Sequence, residues 1–95
     1  MQCDLFDLRG RSALVTGGSR GLGKAIARGF VECGAKVMIC SRKEDELSRA
    51  RDEIAEGIEG AEVIAHVADL SRREDTDALA AAALEAFGTV DILVN

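Results

Sequence analysis

The segment Thr16-Gly17-Gly18-Ser19-Arg20-Gly21-Leu22-Gly23 has the composition of an anion site, with Gly17, Gly21 and Gly23 in G-x-x-x-G-x-G spacing between an apolar run and a helical pattern. A helix that begins at such a turn presents free N–H groups and the positive end of its dipole, and both favour a phosphate or pyrophosphate. Gly17 can take the tight turn, Gly21 lets a ligand approach the backbone, and Gly23 lets helix and strand pack closely. The spacing departs from the general G-x-G-x-x-G dinucleotide fingerprint, and glycine also collects in turns for structural reasons alone. The setting decides for a ligand: a strand stands before the turn, a helix after it, and a second such unit beyond. Ser41-Arg42, Asp69-Leu70 and Asn95 stand at or just after the ends of three further apolar runs.

The elements that must position these residues follow from the hydrophobic pattern. Arg11 to Thr16 reads as a strand, with Ala13, Leu14 and Val15 apolar in succession, as in strands covered on both faces. A helix follows from about Gly23 to Cys33, with Ala25, Ile26, Gly29 and Phe30 as its stripe and Gly34 at its C-terminal cap. Lys36 to Cys40 is a second strand. The next helix starts near Lys43, carries Glu44, Asp45 and Glu46 in its first turn, buries Leu47, Ala50, Ile54 and Ile58, and ends at Gly60. Glu62 to Val67 is a third strand. A third helix runs from about Arg72 to Phe87, with Ser71 as N-cap, Glu74 completing a capping box and Gly88 closing it. Val90 to Val94 is a fourth strand. The order β-α-β-α-β-α-β predicts one α/β unit over residues 1–95, with right-handed parallel crossovers.

Composition narrows the function classes. The chain has 95 residues, 31% charged and 47% hydrophobic, with three Phe as its only aromatics. A net charge of −5 without a basic stripe argues against nucleic acid. No apolar run reaches the length of a membrane span. Met1-Gln2-Cys3-Asp4 does not open a secretory signal. Cys3, Cys33 and Cys40 lack metal or redox spacing and are expected to be free thiols in a reducing cytoplasm, Cys33 and Cys40 as small buried hydrophobes. His66, the only histidine, has no cluster of ligands near it in sequence and reads as a strand residue on a polar face, so no metal is expected.

With these motifs in place, the chain resembles the short-chain dehydrogenase/reductase family from Leu5 onward. Thr16-Gly17-x-x-x-Gly21-x-Gly23 is similar to that family's cofactor signature, and Asp69-Leu70 to its D-[VL] pair, whose Asp meets the adenine ring. Val90 to Asn95 resembles the fourth strand entering the N-N-A-G motif, which the residue matching Thr16 braces. The resemblance implies the N-terminal half of a Rossmann-type, doubly wound parallel sheet with strand order 3-2-1-4. It also implies a nicotinamide cofactor held by Gly17, Ser19, Arg20, Gly21, Leu22, Gly23, Ser41, Arg42, Asp69, Leu70 and Asn95.

The end of the second strand points to NADP. An NAD site carries an acidic residue there for the ribose 2′-hydroxyl. Here Ser41 stands in that place and Arg42 follows. A guanidinium can grip a phosphate through paired charge-assisted hydrogen bonds. The resemblance sets Arg20 across the same pocket. Lys43 reads equally well as a solvated loop cation.

The resemblance implies catalysis by a Tyr-x-x-x-Lys pair with Ser and Asn, yet the chain contains no tyrosine. No catalytic residue is therefore assigned within it. The expected parent is an NADP-dependent oxidoreductase acting on a carbonyl or alcohol. Leu5-Phe6-Asp7-Leu8-x-Gly10 and Ser41-Arg42 are similar to members that reduce 3-oxoacyl thioesters or sugar-acid ketones. Homo-oligomers are implied for the parent, through segments beyond Asn95. The alternative is a nucleotide-binding fragment or module without catalysis. A methyltransferase is disfavoured, because its glycine turn is usually accompanied by an acid where Ser41-Arg42 stands. The fourth strand is expected to be an exposed edge.

Overall fold

A computed structural model describes residues 7–95; Cys3 and the Leu5-Phe6 pair lie outside them. The elements are β1 (Ser12–Thr16), α1 (Gly21–Glu32), β2 (Lys36–Ser41), α2 (Glu44–Ala55), β3 (Val63–Val67), α3 (Arg73–Phe87) and β4 (Ile92–Val94). All strand pairs are parallel, in the expected order β3-β2-β1-β4.

Side chains alternate across the sheet and feed two cores. On one face Ala13, Val15, Val37 and Ile39 meet Ala27 and Val31 of α1 and Leu47, Ala50 and Ile54 of α2. On the other, Leu14, Met38 and Cys40 meet Leu79 and Ala83 of α3. Both faces of β1 and β2 are covered, which is why their sequences are apolar without alternation. Burial of a side chain such as Ile39 contributes about 1.5–3 kcal/mol.

The buried face of α1 differs from the expected stripe. Ala27 and Val31 are buried, Phe30 is half-buried against the same core, and Ala25 is exposed. The cause lies at the start of the helix. A Cβ at Gly23 would stand 2.5 Å from the Gly17 carbonyl oxygen, so the helix rests on the turn at that point. Residues 23, 27 and 31 then lie in one i, i+4 row facing the sheet.

Helix α2 stops at Ala55, before Gly60. Glu56 leaves helical backbone with ψ of 127°, and Ile58 packs on the core from the loop beyond. The capping box at α3 does not form: Arg72 is the N-cap, without a side-chain bond, and the Ser71 hydroxyl donates instead to Asp69 Oδ1 at 2.7 Å.

One of the cysteines also departs from expectation. Cys40 is buried and free, but Cys33 is half-buried and disulfide-bonded. The chain entering β1 passes the end of α1, where the Leu8 N–H donates to the Cys33 carbonyl, so Cys33 sits at a seam rather than in the core. His66 is half-buried and pairs in register with Cys40, on the side of the sheet that α3 covers. Among the described residues there is no cluster of three metal-ligating side chains, and no helix is long and apolar enough to cross a membrane.

Candidate functional site

Parallel pairing brings the C-terminal ends of β1, β2 and β3 to one edge of the sheet, and an open cleft of about 430 Å³ lies there. Gly17, Ser19 and Arg20 line it from the turn after β1, Ser41 and Arg42 from the end of β2, and Asp69 and Leu70 from the loop after β3. These seven of the eleven expected residues come together. The other four stand apart from the lining. Gly21 opens α1 beside a second cavity, Leu22 is 77% exposed, Gly23 is a packing residue, and Asn95 is exposed after β4. Thr16 donates from Oγ1 to the Val94 carbonyl at 3.1 Å and so ties the end of β1 to that of β4.

Local chemistry shapes the turn. Gly17 has a φ of +69°, the left-handed region that favours glycine. Gly18 was not singled out in the sequence, yet a Cβ there would meet Ile39 Cγ2 at 2.6 Å. The turn therefore lies directly on the buried second strand. Arg20 is the N-cap of α1 in extended backbone, with no side-chain cap, and the first turn of α1 holds no acid. Helix α2 carries three acids in its first turn and α3 carries two. Of the three helices, α1 alone leaves its dipole end uncompensated, and that end adjoins the cleft.

Cys40, Ala68 and Ser71 complete the lining, and none was expected from sequence. Cys40 forms part of the floor. Burial pushes its thiol up, partly offset by a hydrogen bond from the Gly17 backbone. Asp69 accepts bonds from the Ser71 hydroxyl and from the Ser71 N–H at 3.0 Å. Those two bonds hold its carboxyl below the usual value, with smaller help from Arg42 and Arg72. The Asp69 N–H donates in turn to Asp75 Oδ2 at 2.8 Å, which fixes the loop to α3.

The residues present fit a phosphorylated dinucleotide. A glycine cradle with no room for a Cβ at Gly18 or Gly23, an uncapped helix end and two arginines at one rim form a donor set for anionic oxygens.

The sequence profile of the family described as short chain dehydrogenase matches residues 11–95, and the chain belongs to that family. It is 47% identical, over its whole length, to an uncharacterised oxidoreductase of Mycobacterium tuberculosis, of which it covers 35%. It is 42% identical over 95% of its length to the 3-oxoacyl-[acyl-carrier-protein] reductase of rhamnolipid biosynthesis in Pseudomonas aeruginosa, covering 34% of that protein. The chain thus spans about a third of the length of the curated relatives it matches. Among solved structures, a metagenomic short-chain oxidoreductase in complex with NADP superposes with a TM-score of 0.83 at 40% identity, over 90% of this chain and 38% of that one. A short-chain dehydrogenase/reductase from Burkholderia phymatum in complex with NAD gives 0.83 at 38% identity, over 94% and 31%. Similar relatives thus include complexes with either cofactor.

Proposed function

We propose that this chain is the NADP(H)-binding part of a short-chain dehydrogenase/reductase that interconverts a carbonyl and an alcohol. One observation carries the choice of NADP: Arg20 and Arg42 line the same cleft, with Ser41 and no carboxylate at the end of β2. In this reading the uncapped end of α1 and the backbone of residues 17–21 hold the pyrophosphate. Arg20 and Arg42 take the 2′-phosphate, Ser41 accompanies them, and Asp69 and Leu70 border the adenine. Leu22 and Asn95 lie toward the nicotinamide half. When bound, the cofactor supplies or accepts the hydride. The chain's own part is to bind, orient and neutralise the dinucleotide. A 3-oxoacyl thioester is the proposed substrate class, supported by the likeness to the acyl-carrier-protein reductase.

Calorimetric titration with NADPH and NADH, repeated on Arg42→Ala, tests the reading. The expected result is tighter NADPH binding that weakens selectively in the variant, while NADH is unaffected. Equal affinity for both cofactors would overturn the NADP assignment. A second reading, nucleotide binding without turnover by this 95-residue chain, is favoured by its lack of tyrosine. Bound NADPH that is never oxidised in the presence of a 3-oxoacyl thioester would support it.

A further inference from the structure

Arg20 reaches from the glycine turn to the first turn of α2, where its Nε lies 3.3 Å from Glu46 Oε1. The Arg20 side chain is 79% exposed, whereas that of Glu46 is only 25% exposed. The second Glu46 oxygen lies 3.6 Å from Lys43 Nζ. Glu46 follows Arg42 by four residues and does not line the cleft, so it stands behind the rim that Arg20 and Arg42 form. It engages Arg20 through Nε, and among the described residues no other hydrogen bond or ion pair holds that guanidinium. The terminal nitrogens, which form the fork suited to phosphate, stay available.

Resting on the NADP reading above, we infer that Glu46 is a positioning residue for the 2′-phosphate, anchoring the Arg20 guanidinium at the cleft rim before ligand arrives. A free arginine loses rotamer freedom on binding, and one already tethered loses less. The carboxylate also repels the incoming phosphate. That repulsion is offset by Arg20 and Lys43, which both pair with the Glu46 carboxylate and neutralise it locally. Glu44 and Asp45 remain to serve the dipole of α2, so loss of Glu46 leaves the helix start intact.

The test uses half-cofactor probes that need only this part of the site: adenosine 2′,5′-bisphosphate, and 5′-AMP, which lacks the 2′-phosphate. Each is titrated calorimetrically into the wild-type chain, Glu46→Ala and Glu46→Gln. Glu46→Ala is expected to weaken the bisphosphate roughly 3- to 10-fold and leave 5′-AMP unchanged. Glu46→Gln, which keeps the side-chain size but removes the charge that pairs with Arg20, is expected to weaken the bisphosphate as Glu46→Ala does. Unchanged or tighter bisphosphate binding in Glu46→Ala overturns the inference, as does equal weakening of both probes. A wild-type chain that does not prefer the bisphosphate overturns the NADP reading itself, and this inference with it.

Discussion

The Arg28 guanidinium of α1 closes the end of α2, donating from Nη1 to the Glu56 carbonyl oxygen at 2.6 Å. The same nitrogen lies 3.1 Å from the carbonyls of Glu53 and Ile54, while Nε bonds Glu32 at 3.2 Å. One side chain thus reaches two carbonyls of the last turn of α2 and the Glu56 carbonyl just beyond it, at the negative end of the helix dipole. Arg28→Ala is expected to cost about 1–2 kcal/mol, the range for a partly buried cation at a helix terminus. Lys24→Ala, which breaks the exposed pair with Glu53, should cost less than about 1 kcal/mol. Urea unfolding of the two variants ranks them; a larger loss in Lys24→Ala would refute the assignment.

Gly23→Ala tests the rest of α1 on the turn. The added methyl group would stand 2.5 Å from backbone that cannot rotate away, so turn and helix must separate. Overpacking of this kind costs about 1–3 kcal/mol. Because the displaced backbone is the proposed phosphate cradle, nucleotide affinity should fall beyond what the stability loss explains. Titration under conditions where the variant remains folded measures this.

Thr16→Val removes the hydroxyl that donates to Val94 and keeps the side-chain volume. The expected cost is about 1 kcal/mol for the lost bond, with the Val94 carbonyl left short of a partner. Amide exchange should accelerate in β4 and be little changed in β2. Uniform acceleration across the sheet would mean that Thr16 does not act locally.

The pH behaviour of Asp69 has a definite sign. Its folded carboxyl titrates below the ordinary value of 3.8, chiefly because the Ser71 hydroxyl and N–H bond the charged form. A depressed carboxylate adds stability that is fully present above pH 3.8 and is lost as pH falls through the folded value. Ser71→Ala should move the Asp69 titration back toward 3.8, as read by carboxyl carbon chemical shifts. A titration that stays in place would assign the depression to the backbone N–H of residue 71, with Arg42 and Arg72, rather than to the hydroxyl.

Strand β4 forms one edge of the sheet in the 95-residue chain, and Leu93 at its centre is 61% exposed. An open edge with an apolar side chain invites pairing with another copy. Sedimentation of the 95-residue polypeptide should show association that grows with concentration and diminishes in Leu93→Lys. A wild-type chain that stays monomeric at high concentration would contradict this.

The sheet was legible because β1 and β2 are continuous apolar runs, a pattern that parallel strands covered on both faces require. The cleft was legible where chemistry is local in sequence: Gly17 and Arg20 in one turn, Ser41-Arg42 at one strand end, Asp69-Leu70 in one loop. What escaped depends on long-range geometry. The rotation of α1 is set by contact between Gly23 and Gly17 rather than by its own apolar pattern, which favoured Ile26 over Ala27. Arg28 was not singled out in the sequence, since its partners are backbone carbonyls of another helix and of the loop after it. Ser71 had the spacing of a cap, but its hydroxyl donates a hydrogen bond to the nearby Asp69 carboxylate instead. Cys33 was expected in the core because of its apolar company in sequence, yet it stands half-buried where Leu8 bonds its carbonyl, and it is disulfide-bonded.

The cleft walls come from residues 17–20, 41–42 and 68–71, which are remote in sequence and adjacent only while three strands hold their register. A nucleotide that touches all three walls therefore acts as a clamp on the sheet. Ligand at a hundred times its dissociation constant adds about 2.7 kcal/mol to folding. That sum is comparable to the burial of one large apolar side chain. Occupancy would then govern the lifetime of the folded chain, and protection from proteolysis would track cofactor concentration.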